Sequence, residues 1–223
     1  MPGRSQPIFT GQVYHVFNRG IDRRTTFTGK REFERAYQTL LFYRFMRPHL
    51  RLSYFLSLGV SRRSQLLFQL EKGKKLIDVL AYCLMPNHMH LVLRQKADAG
   101  ISAYLSNIQN SYTRYFNTRH QRIGPLFLDQ FKAKRVETDE QLHHLIRYVH
   151  LNPFTSFLVK RQDALVDYPW SSFPEYLGKK DGFCIKEYSS VKTQSPHAYK
   201  TFVFDQANYQ RHLGEIKNLT EDE

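Results

Sequence analysis

Residues Gln12-Val13-Tyr14-His15-Val16-Phe17-Asn18-Arg19-Gly20 alternate with period two and stop at a glycine, which predicts a strand. From Gly29 to Met46 the apolar positions Phe33, Tyr37, Leu40, Leu41 and Phe45 recur every three or four residues, as on one face of a helix that ends before Pro48. The run Leu76 to Met85 is almost continuously apolar and predicts a strand buried on both faces. Pro86-Asn87 signals a turn, and His88 to Arg94 reads as the returning strand of a hairpin. A second helical period covers Ile101 to Thr118, followed by a Gly124-Pro125 loop and a basic strand, Phe131 to Val136. Thr138 and Gln141 have the spacing of a capping box. They open a helix through Leu142, Leu145, Ile146 and Val149 to about Asn152, where Pro153 is expected to stop it.

Strand, helix, strand-turn-strand, helix, strand, helix is the order of an α+β fold. The nearest standard form is the ferredoxin-like, split βαβ arrangement, an antiparallel sheet with helices on one face and an open face for a nucleic-acid strand. Residues 48–75 read as a helical insertion with a basic end. The pattern fades after Gly178, so residues 1–178 are expected to form one domain and 179–223 a partly flexible C-terminal extension with a frayed acidic end.

Composition narrows the classes. No apolar run approaches the length of a membrane span, and the first residues lead into no apolar leader, so no membrane partner and a cytoplasmic, nucleoid-associated location are expected. The two cysteines, Cys83 and Cys184, make no disulfide framework. Thirty-three Lys and Arg stand against twenty Asp and Glu, a formal charge of +13, and 31 residues are Phe or Tyr. Phosphate backbones bind such a surface by counterion release, and bases of single strands stack on aromatic rings.

Two constellations carry candidate chemistry. His88 and His90 are two apart on a strand, so both imidazoles face one way and can share a metal. No third His and no Cys stands at zinc-finger spacing, so an open site taking oxygen ligands, suited to Mg²⁺ or Mn²⁺, is expected rather than a closed zinc site. Tyr148 and Asn152 are four apart at the end of a helix and share a face. The phenol is a candidate nucleophile and the amide oxygen a candidate third ligand. Each pair alone also fits ordinary packing: surface histidines, a core tyrosine, a helix-capping asparagine.

Joined in order, the motifs are more specific. Tyr14-His15-Val16-Phe17-Asn18-Arg19-Gly20 comes first, then Met85-Pro86-Asn87-His88-Met89-His90-Leu91-Val92-Leu93 and Tyr115-Phe116-Asn117. Arg147-Tyr148-Val149-His150-Leu151-Asn152-Pro153 and Tyr168-Pro169-Trp170-Ser171-Ser172-Phe173 follow. From about Gln12 to Leu177 the chain resembles the HUH single-strand transposases with one catalytic tyrosine, specifically the REP-associated group. The resemblance implies a ferredoxin-like transposase domain over 1–178 and a divalent cation on His88, His90 and Asn152. It further implies strand transfer through a 5′-phosphotyrosine on Tyr148, at single-stranded DNA near palindromic hairpins, by a monomer or a homodimer. The insertion and the extension depart from the shortest members and carry nothing over.

The field around a DNA strand is expected from Asn18, Arg19, Arg23, Arg24, Arg114, Arg119, Arg122, Lys132, Lys134 and Arg135. His144, four residues before Tyr148, is a candidate proton acceptor or DNA contact, and Tyr112 and Tyr115 are rival nucleophiles whose apolar spacing favours packing. Two other classes remain open at this point: a binding module without chemistry, and a metal-dependent nuclease in which water replaces the tyrosine.

Overall fold

Alternation sorts the side chains of β1 (Val13–Arg19) between two environments: Tyr14 and Val16 are buried in one core, while His15 and Phe17 lie half-buried on the other face. The computed structural model describes residues 7–46, 48, 50–186 and 195–212. After β1 come α1 (Lys30–Tyr43), α2 (Leu52–Ser57), α3 (Val60–Glu71), β2 (Ile77–Met85) and β3 (His88–Gln95). Then follow α4 (Gly100–Arg119), β4 (Lys132–Val136), α5 (Asp139–Thr155), α6 (Phe173–Tyr176) and α7 (Pro196–Phe204). The sheet order is β2-β3-β1-β4 with every neighbour antiparallel, the ferredoxin-like order expected from the sequence.

The expectation of helices on one face holds for α1 and α4, which pack with Tyr14, Val16, Leu91 and Leu93. It is corrected for α5, which crosses to the second face. The cause lies in β2, where all nine residues are buried. Leu80, Ala81, Cys83 and Met85 need apolar cover, and Leu142, Ile146 and Val149 of α5 supply it. The second face therefore stays open only over β1 and β4, where Lys132 and Lys134 are exposed.

Within 48–75 the described residues form the helices α2 and α3, as expected, around a small cluster of Phe42, Leu52 and Phe55. Part of the extension joins the main cores: Phe183 stacks on Tyr82, the Ile185 N–H donates to Val79, and Tyr199 and Val203 of α7 are buried against α5. The acidic end, 215–223, lies outside the described residues. The segment Trp170-Ser171-Ser172 runs beside β2. It accepts from Leu84 N–H at 2.8 Å and donates to the Tyr82 carbonyl at 2.9 Å, so this edge is not open for pairing.

Pro153 does not stop α5, which continues to Thr155. A proline near a C-terminus removes one donor, and burial of Pro153 and Phe154 outweighs that loss. Thr138 caps α5 as expected, accepting from the Gln141 N–H at 3.1 Å, while the Gln141 side chain reaches back one residue further than in a capping box, to the Glu137 N–H at 2.9 Å.

His150 locks this region. It is fully buried, with Nε2 2.8 Å from Ser172 Oγ and Nδ1 2.7 Å from Tyr199 Oη. Burial pulls its pKa from 6.5 down to about 3, so folding keeps the ring neutral. Between those values the unfolded chain binds a proton that the folded one does not, so acid destabilises the fold. His15, His88 and His90 act in the same direction. Comparing urea unfolding at pH 7 and pH 5 in wild type and His150→Leu isolates one ring. The variant is expected to lose about 2 kcal/mol of the wild type's loss of stability between pH 7 and pH 5, and equal losses would refute the assignment.

Candidate active site

β3 places His88 and His90 on its α5-facing side, and β1 places His15 and Phe17 beside them, with Phe17 directly opposite His90. α5 carries Tyr148 and Asn152 over the same spot. Together they line a cavity of about 750 Å³ at the border between the covered and open halves of the sheet. The helix spacing that buries Ile146 and Val149 leaves Tyr148 at the edge, 39% exposed. Its ring stands edge-on to His90, with centroids 5.7 Å apart, and to His15 at 6.0 Å.

Both histidines of the β3 pair have Nδ1 occupied. His88 Nδ1 donates to Asn87 Oδ1 at 2.6 Å, and His90 Nδ1 lies 3.0 Å from His15 Nε2. Each therefore offers Nε2 as its donor atom, the arrangement that metal-binding histidines use. Asn152 Nδ2 donates to the Tyr148 carbonyl at 2.9 Å, which assigns the amide nitrogen and leaves Oδ1. Burial pushes His88 and His15 down to about 4 and His90 well below its ordinary value, with nearby positive groups adding to it. The rings are neutral at pH 7, as ligation requires. This donor set, two imidazoles and an amide oxygen, fits a divalent cation with positions left for phosphate oxygens and water. No cluster of three His, Cys, Asp or Glu that could hold a metal exists among the described residues, so no carboxylate completes the set.

The cavity lining holds Arg19, Arg23, Lys132 and Lys134 and no Asp or Glu. Its field suits an anion. Burial raises the Tyr148 phenol above its ordinary pKa, with Asn152 pulling the other way, so the hydroxyl is protonated at rest.

Other expected site residues lie elsewhere or have other partners. Asn18 is nearly buried at the cavity wall, donating to the Leu128 carbonyl at 3.0 Å and accepting from Arg19 N–H at 2.8 Å; both bonds hold the strand exit in shape. Arg24 folds back on its own turn, onto the Ile21 carbonyl and Asp22. Arg135 points to the other side of β4 from Lys134 and donates to Gln12 Oε1. Arg122 is tied to the Gly124 and Pro125 carbonyls of its own loop. His144 shares the helix spacing of Tyr148, but its ring engages Arg147 at 2.6 Å and lies beside Phe202 of α7. It does not line the cavity. Tyr112 is buried and donates to the Thr26 carbonyl at 2.7 Å; with Tyr115 it belongs to the opposite sheet face, as does Arg114.

Sequence reasoning gave His15 no role of its own. The available signal was its period-two alternation with Phe17, which sets it apart from the buried Tyr14 and Val16.

Comparisons with known proteins give the family and the fold. The family described as "Transposase IS200 like" matches residues 9–152, which hold all of β1 to β4 and α5 through Asn152. Comparison with curated proteins gives no match. Among solved structures, a REP-associated tyrosine transposase bound to a REP hairpin is similar at 14% identity and a TM-score of 0.57. The similarity covers 85% of this chain and 94% of that one, and it shows a common fold.

Proposed function

Because the chain belongs to the IS200-like transposase family, we propose that it cuts and rejoins single-stranded DNA through Tyr148, with Mg²⁺ or Mn²⁺ held by His88, His90 and Asn152. The observation that carries this reading is the convergence of a half-exposed phenol and two Nδ1-paired imidazoles in one cationic cavity. The similar solved structure is of a transposase with a DNA hairpin, which supports hairpin-bearing DNA as the substrate.

The bound cation would polarise the scissile phosphate and offset the charge that grows on it. Lys132, Lys134, Arg19 and Arg23 would hold the flanking phosphates. Tyr148 Oη would attack phosphorus, the bond to O3′ would break, and a 5′-phosphotyrosine would form. The phenol releases its proton to water at the open side of the cavity, and the departing O3′ takes one up. Attack by another 3′ hydroxyl on the phosphotyrosine reverses the step, so no bond energy is lost to hydrolysis. His15 is a positioning residue: its Nε2 accepts from His90 Nδ1 and keeps His90 Nε2 free as a ligand.

The test is cleavage of labelled single-stranded hairpin DNA with Mn²⁺. EDTA and His88→Ala are each expected to remove cleavage, while the purified variant melts within a few degrees of wild type. Undiminished cleavage by His88→Ala would overturn the ligand assignment. Binding without cleavage, over several flanking sequences, would leave a binding module.

A further inference from the structure

Phe17 lines the active cavity from β1, directly opposite His90 of β3 on one side and Lys132 of β4 on the other. It belongs to neither of the two main clusters of buried apolar residues, nor to the small one at α2. Its ring neighbours are two imidazoles, His15 at 4.9 Å and His90 at 5.9 Å between centroids. The cavity lining is otherwise basic, imidazole or amide, with Leu128 and the Tyr148 ring as the exceptions. Core packing therefore does not account for a phenyl ring at this position. The other rings have tasks: the imidazoles are held by hydrogen bonds at their ring nitrogens, and Tyr148 stands edge-on to His15 and His90. Phe17 has no polar atom and offers only its faces. The planes of His15, Phe17 and His90 are tilted by 20° to 36° from one another. They form a short stack that is open toward β4, where a lysine and not a ring lies opposite Phe17.

We propose that Phe17 is the platform on which the base next to the scissile phosphate stacks, and that it sets a preference for a large base at that one position. The inference rests on the strand cleavage by Tyr148 proposed above. Neighbouring strands run about 4.8 Å apart, so Phe17 stands one spacing from His90 and one from Lys132. With the scissile phosphate at the cation, the adjoining base falls over Phe17, and the phosphate beyond that base comes within reach of Lys132. Stacking on a ring needs no hydrogen-bond partner, and truncating such a ring weakens binding by about 5- to 150-fold. A purine covers more of the ring than a pyrimidine, so the platform selects by area and not by the pattern of donors on the base edge.

The test moves a single abasic site through the single-stranded segment of a hairpin DNA and reads affinity by fluorescence anisotropy with Mn²⁺. The cut position is first located with the wild type. The binding series is then run in proteins that carry Tyr148→Phe, so that the DNA stays whole. With Phe17 present, an abasic site at a nucleotide adjoining the cut is expected to cost at least about fivefold. Phe17→Leu keeps an apolar side chain on the strand. It is expected to cost about as much on intact DNA, and to make the same abasic site cost less than about twofold further, because base and ring are lost as one interaction. Phe17→Trp should restore both the affinity and the sensitivity to that site. A disturbed fold would instead weaken every probe alike and leave the abasic cost in place. Equal abasic costs with and without the ring would overturn the platform, and so would a sensitive nucleotide remote from the cut. A wild type that leaves the DNA uncut would overturn the cleavage reading, and with it the placement beside the cut.

Discussion

Tyr148→Phe is expected to lower strand cleavage by roughly 10⁴-fold or more and to leave affinity for uncut DNA within about twofold. The substitution removes one oxygen and keeps the ring that stands edge-on to His15 and His90. The buried Asn152 loses its bond to the phenol but keeps the one it donates to the Tyr148 carbonyl, so stability should move by about 1 kcal/mol or less. Without Oη no other described tyrosine can replace it: Tyr112 donates its hydroxyl to a core carbonyl, and Tyr115 lies on the opposite sheet face. Cleavage and DNA binding, measured side by side, check this. A variant that still cuts at a tenth of the wild-type rate would point to water as the nucleophile.

The second large effect is expected at His15. A ligand histidine depends on the group that holds its other nitrogen, and loss of such a partner weakens metal affinity by about 10–100-fold. His15→Ala should therefore bind Mn²⁺ about that much more weakly, measured on DNA-free protein by the paramagnetic resonance of free Mn²⁺. His15→Gln should recover most of the loss, because its amide oxygen can accept from His90 Nδ1 where the imidazole did. Equal Mn²⁺ affinity in wild type and His15→Ala would remove His15 from the site. A wild type that binds no Mn²⁺ would instead remove the metal. The two failures are thus distinguishable.

Most of the sheet was legible in the chain because each strand carries a strong local signal. β2 is apolar throughout, β1 alternates, and the Pro86-Asn87 turn joins β2 to β3 with His88 and His90 at fixed parity. Parity and helix spacing alone put the two imidazoles on one face and Tyr148 with Asn152 on another. What no local pattern contains is the approach of those two faces, which α5 brings about by crossing the sheet to bury Leu142, Ile146 and Val149. The same crossing defeated the reading of a one-faced sheet. It also turned His144 toward α7, although its spacing from Tyr148 is correct. Pro153 misled for a related reason: one missing donor is a small local cost set against burial of the last helical turn. The hydrogen bonds of Asn18 and Arg135 were not legible, because a count of polar groups beside a strand says nothing of which already have partners. His15 escaped notice because its significance lies in a hydrogen bond to a residue 75 positions away.

Strand transfer through Tyr148 passes through a covalent bond between DNA and its hydroxyl. Its most direct measurement is peptide mapping by mass spectrometry after reaction with single-stranded hairpin DNA and Mn²⁺, followed by nuclease and protease digestion. A nucleotide remnant is expected on the peptide that contains Tyr148, linked through phosphate to its hydroxyl and missing from Tyr148→Phe. Cut DNA with free 5′-phosphate ends and no modified peptide, or a remnant on a different tyrosine, would contradict it.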